Sequence, residues 1–130
     1  MPKDQERPRV LMIEDDDDFQ ALVRDWLAPE YDVMSLGSGE DILAEVQEAD
    51  PDLVILDVKL PGPDGFRLCK KMRSHPRFSE MPVLFLTGCS EDADFLKGLR
   101  SGGTAYLNKP VSRKELLEKV REMVAQTSGI

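Results

Sequence analysis

The chain has 130 residues, 41% of them apolar and 32% charged, with a formal net charge of −8. That is one domain's worth of sequence with enough apolar material for a single core, and its apolar runs of four or five residues fall far below the roughly 20 that cross a bilayer. The negative charge disfavours sequence-independent binding to DNA or anionic lipid, since both require a positive field.

The first eight residues, MPKDQERP, carry no apolar stretch of the kind a secretory leader needs and read as a flexible tail, so a cytoplasmic location is expected. Residues 9–13 (RVLMI) form a continuous apolar run that predicts a buried strand. Five acids follow without a break, Glu14 to Asp18. Phe19, Leu22, Val23, Trp26 and Leu27 then repeat at helical spacing and predict one apolar helix face, which Pro29 ends. Residues 31–36 read as a second strand, interrupted by Asp32 and Ser35. Ser38 with Asp41 resembles a helix cap for Ile42, Leu43, Val46 and Ala49, and Pro51 stops that helix.

Residues 53–57 (LVILD) predict a third strand, apolar until its last residue, and LPGPDG after it can only be a turn. A helix is expected over 66–74, a proline-bounded loop over 75–81 and a fourth strand over 82–87. Ser90 can cap a helix carrying Ala93, Phe95, Leu96 and Leu99, closed by Gly102 and Gly103. Residues 104–108 predict a fifth strand. Ser112 and Glu115 have the spacing of a capping box for a last helix, with Leu116, Leu117, Val120, Met123 and Val124 inward. Cys69 and Cys89 lack metal-ligand spacing and read as reduced thiols.

Five strand–helix units in series imply a parallel sheet with right-handed crossovers and helices on both faces. Ligands of such sheets bind at the carboxyl ends of the strands. On a sheet of order 2-1-3-4-5, an order adopted from known sheets of this kind and not dictated by these residues, strands one and three lie about 4.8 Å apart. Glu14 and Asp15 after the first strand and Asp57 at the end of the third then converge, with Thr87 ending the fourth strand and Lys109 following the fifth. Crowded carboxylates resist ionising together without a counter-charge, and an all-oxygen site of few carboxylates suits Mg²⁺. A carboxylate beside such a cation can act as a nucleophile and become an aspartyl phosphate. Lysine and threonine are the groups that would stabilise charge on a transferring phosphoryl group.

The segments RVLMIEDD, PDLVILDVKLPGPDG, PVLFLTG and AYLNKP, in that order, resemble the response regulator receiver family of two-component signalling, over about residues 9–126. The resemblance implies a CheY-like (flavodoxin-like) α/β fold, a doubly wound five-stranded parallel sheet with five helices. A tail of residues 127–130 follows that domain. It also implies that Glu14, Asp15 and the backbone carbonyl of Lys59 hold Mg²⁺ together with Asp57, and that Asp57 is the phosphoacceptor. Thr87 and Lys109 would sense the phosphate, Tyr106 would reorient on activation, and the Lys109–Pro110 peptide bond would be cis. Three positions depart from the family's pattern: Gly88 stands for the usual alanine after the threonine, Thr104 and Ala105 replace frequent acids before Tyr106, and Pro63 replaces a common methionine.

The function so implied is a phosphorylation-activated switch. A sensor histidine kinase or histidine phosphotransfer protein would donate to Asp57. Output would pass through the face made by the fourth helix, fifth strand and fifth helix to a downstream protein or effector domain, with no turnover of an external substrate and no direct contact with nucleic acid or membrane. Three rival readings are weaker on the residues. A haloacid dehalogenase-type phosphohydrolase would need threonine where Gln20 stands, and a flavin phosphate would be repelled by five acids. A receiver used only as an interaction scaffold would have no need of the complete set of reactive groups.

Overall fold

A computed structural model describes residues 7–88 and 104–127 of the protein. The elements run β1 (Arg9–Ile13), α1 (Asp17–Leu27), β2 (Asp32–Leu36), α2 (Ile42–Ala49), β3 (Leu53–Asp57) and α3 (Gly65–Arg73). A 3₁₀ turn (Pro76–Phe78) leads to β4 (Val83–Thr87), then β5 (Thr104–Asn108) and α4 (Arg113–Thr127). The expected helix after Ser90 lies outside the described residues, among which the other four of the five anticipated α-helices are found.

All strand pairs are parallel, in the order β2-β1-β3-β4-β5. Successive side chains of a strand point to opposite faces, so each strand feeds two cores. Leu11, Ile13, Val54, Leu56, Val83 and Phe85 pack under α2 and α3. Val10, Met12, Leu53, Ile55, Leu84 and Leu86 pack under α1 and α4. All residues of β3 and β4 are buried, which is why both read as unbroken apolar runs.

The capping box of α4 is formed as expected. The Ser112 N–H donates to Glu115 Oε1 and the Glu115 N–H donates to Ser112 Oγ, each at 3.0 Å. Leu116, Leu117, Val120 and Met123 are buried beneath that helix. At α3 the cap is Asp64, whose carboxylate accepts the Arg67 N–H at 2.9 Å, and the helix starts one residue earlier than the apolar pattern suggests. The loop over 75–81 tightens into the 3₁₀ turn because His75 Nδ1 accepts the Arg77 N–H and Phe78 is driven into the core.

Two expectations are corrected. Ser38 does not cap α2: the N-cap is Asp41, and its side chain makes no capping bond. The buried stripe of α1 is Gln20, Val23 and Leu27, while Leu22 is 45% exposed. A polar side chain takes the place of an apolar one because the backbone around Glu14 supplies its hydrogen-bond partner.

Leu56 has no exposed surface and sits mid-sheet, so Leu56→Ala removes packing from both neighbouring strands. Urea unfolding should show a loss of about 2–5 kcal/mol; a loss below about 1 kcal/mol would contradict the close packing of this core.

Candidate functional site: a carboxylate cluster at the strand ends

The sheet register builds the site. Ile13 pairs with Leu56, so the next residues, Glu14 and Asp57, stand side by side. Asp57 pairs with Leu86 and Thr87 pairs with Asn108, which brings Thr87 and Lys109 to the same edge. Lys109 is tied there by its own N–H, which donates to the Thr87 carbonyl at 2.7 Å. The Lys109–Pro110 bond is cis.

Glu14 is 1% exposed, Thr87 1% and Asp57 8%, whereas Asp15 faces solvent. Carboxylate oxygens of Glu14, Asp15 and Asp57 lie within 4.8 Å of one another. Lys109 Nζ donates to Glu14 Oε1 at 3.0 Å and to Asp57 Oδ2 at 3.2 Å, and stands 4.6 Å from the centre of the Phe19 ring. A cation over an aromatic face is attracted to its quadrupole, so Phe19 gives the ammonium a further favourable contact.

Burial pushes the Glu14 carboxyl above its usual range, and the neighbouring charge of Asp57 pushes the same way. The Asp16 N–H and Lys109 pull it back without cancelling the effect. For Lys109, burial favours the neutral amine, but the hydrogen bond to Glu14 and the charges of Asp57 and Glu14 outweigh it, so the ammonium is held above its ordinary pKa. One ammonium is shared between two buried carboxylates, so the lysine gains more than Glu14 does.

This donor set suits a hard divalent cation. Every ligand offered is a carboxylate oxygen, and the cluster holds more negative charge than its single lysine neutralises. Asp16 is otherwise engaged: its Oδ1 accepts the N–H groups of Asp18 and Phe19, making it the N-cap of α1. The Lys59 N–H reaches Asp57 Oδ1 at 3.4 Å, two residues past the strand end. Tyr106 is half-buried opposite Phe85 and packs on the core beneath α2 and α3.

Sequence patterning missed two supports. Gln20 is buried with its amide on the Glu14 carbonyl, a position signalled only by a polar residue three before Val23 and seven before Leu27. Gly65 is the other: a Cβ there would fall 2.4 Å from the Asp57 carbonyl oxygen and 3.0 Å from Val58 Cα. Only a residue with no side chain lets the first turn of α3 close against the backbone of Asp57. The Gly65 N–H uses that closeness, donating to the Val58 carbonyl at 2.8 Å.

Among the described residues no helix is long and apolar enough to cross a membrane. Residues 10–121 match the response regulator receiver domain family. The transcriptional regulatory protein BaeR of Escherichia coli O6:H1 (strain CFT073) is 36% identical over 125 residues, 95% of this chain and 51% of BaeR. The phosphate regulon transcriptional regulatory protein PhoB of Rhizobium meliloti is 34% identical over 90% of this chain and 52% of PhoB. The chain thus spans about half the length of these relatives. Among solved structures, the chemotaxis response regulator CheY4 of Vibrio cholerae superposes with a TM-score of 0.79 at 28% identity, over 90% of this chain and 98% of CheY4.

Two measurements check this geometry. Gly65→Ala should destabilise the protein by about 1–3 kcal/mol, the cost of forcing atoms into a filled space, and an unchanged melting temperature would show that α3 does not approach Asp57 so closely. In metal-free protein, a carboxyl raised above its unfolded value contributes stability below that value and loses it as pH rises through the folded pKa. The stability of Glu14→Gln relative to wild type should therefore increase as pH rises from about 4.5 through that window; a difference flat with pH would contradict the raised carboxyl.

Proposed function

Because the chain belongs to the response regulator receiver family and is a receiver domain of two-component signalling, we propose that its switch is thrown by phosphorylation of Asp57 with Mg²⁺ held by Glu14, Asp15, Asp57 and the Lys59 carbonyl. The observation that carries this reading is the convergence of three carboxylates and Lys109 at adjacent strand ends.

In the transfer, an Asp57 oxygen attacks phosphorus and the bond from phosphorus to the donor nitrogen of a phosphohistidine breaks. The electron pair leaves with the imidazole, and an acyl phosphate remains on Asp57. Phosphoryl transfer needs little beyond positioning and charge stabilisation. Bound Mg²⁺ supplies positive charge that offsets repulsion between the carboxylates and the incoming anion. Lys109 already reaches Asp57 Oδ2 and is held cationic, so it can turn to a phosphoryl oxygen without a change of protonation. Thr87, one residue beyond the partner of Asp57, offers a hydroxyl to another oxygen. The Lys59 N–H supports Oδ1, and Oδ2, released as Lys109 turns away, is the oxygen that attacks.

The donor is a sensor histidine kinase or a histidine phosphotransfer protein. Output follows from recruitment of Thr87 and Lys109 to the phosphate, which draws on the ends of β4 and β5 and reorients Tyr106, shifting the packing of the adjoining face. BaeR and PhoB are transcriptional regulatory proteins. By analogy the receiver, which we take to span residues 9–126, acts on a joined effector domain or a separate protein in the cytoplasm. It turns over no external substrate and, with a net charge of −8, makes no contact of its own with nucleic acid.

Acetyl phosphate with Mg²⁺ should add one acid-labile phosphoryl group to the wild type and none to Asp57→Asn, read by intact mass. Lys109→Met should lower the rate by about 10²–10³-fold, as loss of one charge-stabilising donor does. Stoichiometric labelling of Asp57→Asn would sink the assignment.

A further inference from the structure

Glu14 is held at every polar atom it has. Its N–H donates to the Leu36 carbonyl at 2.9 Å, Oε2 accepts the Asp16 N–H at 3.0 Å, and Oε1 accepts Lys109. Its carbonyl accepts Gln20 Nε2 at 2.5 Å. Asp15 is different. Its side chain faces solvent and has no hydrogen bond or ion pair among the described residues. With no such partner to hold its rotamer, the reach of the Asp15 carboxylate is bounded by its backbone, and first by the plane of the Glu14–Asp15 peptide. The carbonyl of that peptide is the one Gln20 grips.

Contacts at both ends oppose a flip of the Gln20 amide. Its oxygen accepts Arg24 Nη2 at 3.4 Å, and a guanidinium can only donate. Arg24 in turn donates to Ser35 Oγ at 2.7 Å on the edge strand β2. A chain of polar contacts thus runs from β2 through Ser35, Arg24 and Gln20 to the peptide between the two acids. Gln20 is one of three buried residues of α1, beside Val23 and Leu27, where an apolar side chain would pack without needing a partner.

From this geometry we infer that Gln20 is a positioning residue: it fixes the Glu14–Asp15 peptide plane, aims the Asp15 carboxylate into the cluster and so sets the affinity for the divalent cation. The inference rests on the metal reading of the site given above. It concerns a residue that touches neither cation nor phosphate and acts through a backbone carbonyl. Groups that orient metal ligands commonly change affinity by one to two orders of magnitude when removed.

The test is calorimetric titration of metal-free protein with Mg²⁺, comparing wild type with Gln20→Met, which keeps the length and bulk of the side chain and loses the donor. The Mg²⁺ Kd should rise about 10- to 100-fold. The Mg²⁺ concentration giving half-maximal phosphorylation by acetyl phosphate should rise by the same factor, with the plateau rate at saturating Mg²⁺ unchanged. A purely packing role would lower the melting temperature of metal-free protein and leave the Mg²⁺ Kd where it was, which overturns the inference. Should Gln20→Met fail to fold, Arg24→Ala decides: it frees the amide from outside the core, and its Kd should rise by a smaller factor, an unchanged value overturning the inference. Wild type that binds no Mg²⁺ would overturn the metal reading itself, a result distinct from equal binding by wild type and variant.

Discussion

One ammonium between two buried carboxylates is the constraint on which the rest depends. Lys109 reaches Glu14 and Asp57 at once, and burial still lifts the Glu14 carboxyl above its ordinary range; with Asp15 beside them, three carboxyl groups share one ammonium. A fold gains nothing in stability from gathering like charges this way. Added positive charge would relieve that crowding, and the carboxylate oxygens there could hold a metal ion. The apolar strands are what make the crowding tolerable, because the paired backbones of β1 and β3 hold the acids at fixed spacing whatever their mutual repulsion.

The supports around the cluster share one logic, which is to fix side chains through backbone geometry so that they need not search. Gly65 gives up a side chain so that α3 can close on the Asp57 backbone. Asp16 caps α1 and starts that helix immediately beyond the acids. Phe19 and Gln20, the next residues inward, hold Lys109 and the Glu14 carbonyl. The acidic run therefore splits in two. Glu14 and Asp15 join Asp57 in the cluster, whereas Asp16 and its two followers complement the dipole at the helix start.

Much of this was legible in the sequence. β1, β3 and β5 have the bounds that their residue patterns suggest, and Glu14, Asp57, Thr87 and Lys109 meet because strand ends in a parallel sheet meet. What stayed hidden depended on partners distant in the chain. Periodicity counts Leu22 as inward and Gln20 as outward, because it cannot see the carbonyl that makes a buried amide acceptable. Ser38 looked like a cap because serine often is one, but the chain turns into α2 three residues later. The need for glycine at position 65 follows from the backbone of Asp57, which no local pattern describes.

The bond from Lys109 to Glu14 joins residues 95 positions apart. Its acids come from the first and third strands and its lysine from beyond the fifth, so no short contiguous fragment of the chain contains a working constellation. A nascent, truncated or partly unravelled copy holds carboxylates without their lysine, or the lysine without its carboxylates. Competence to receive a signal is thereby tied to completion of the whole sheet.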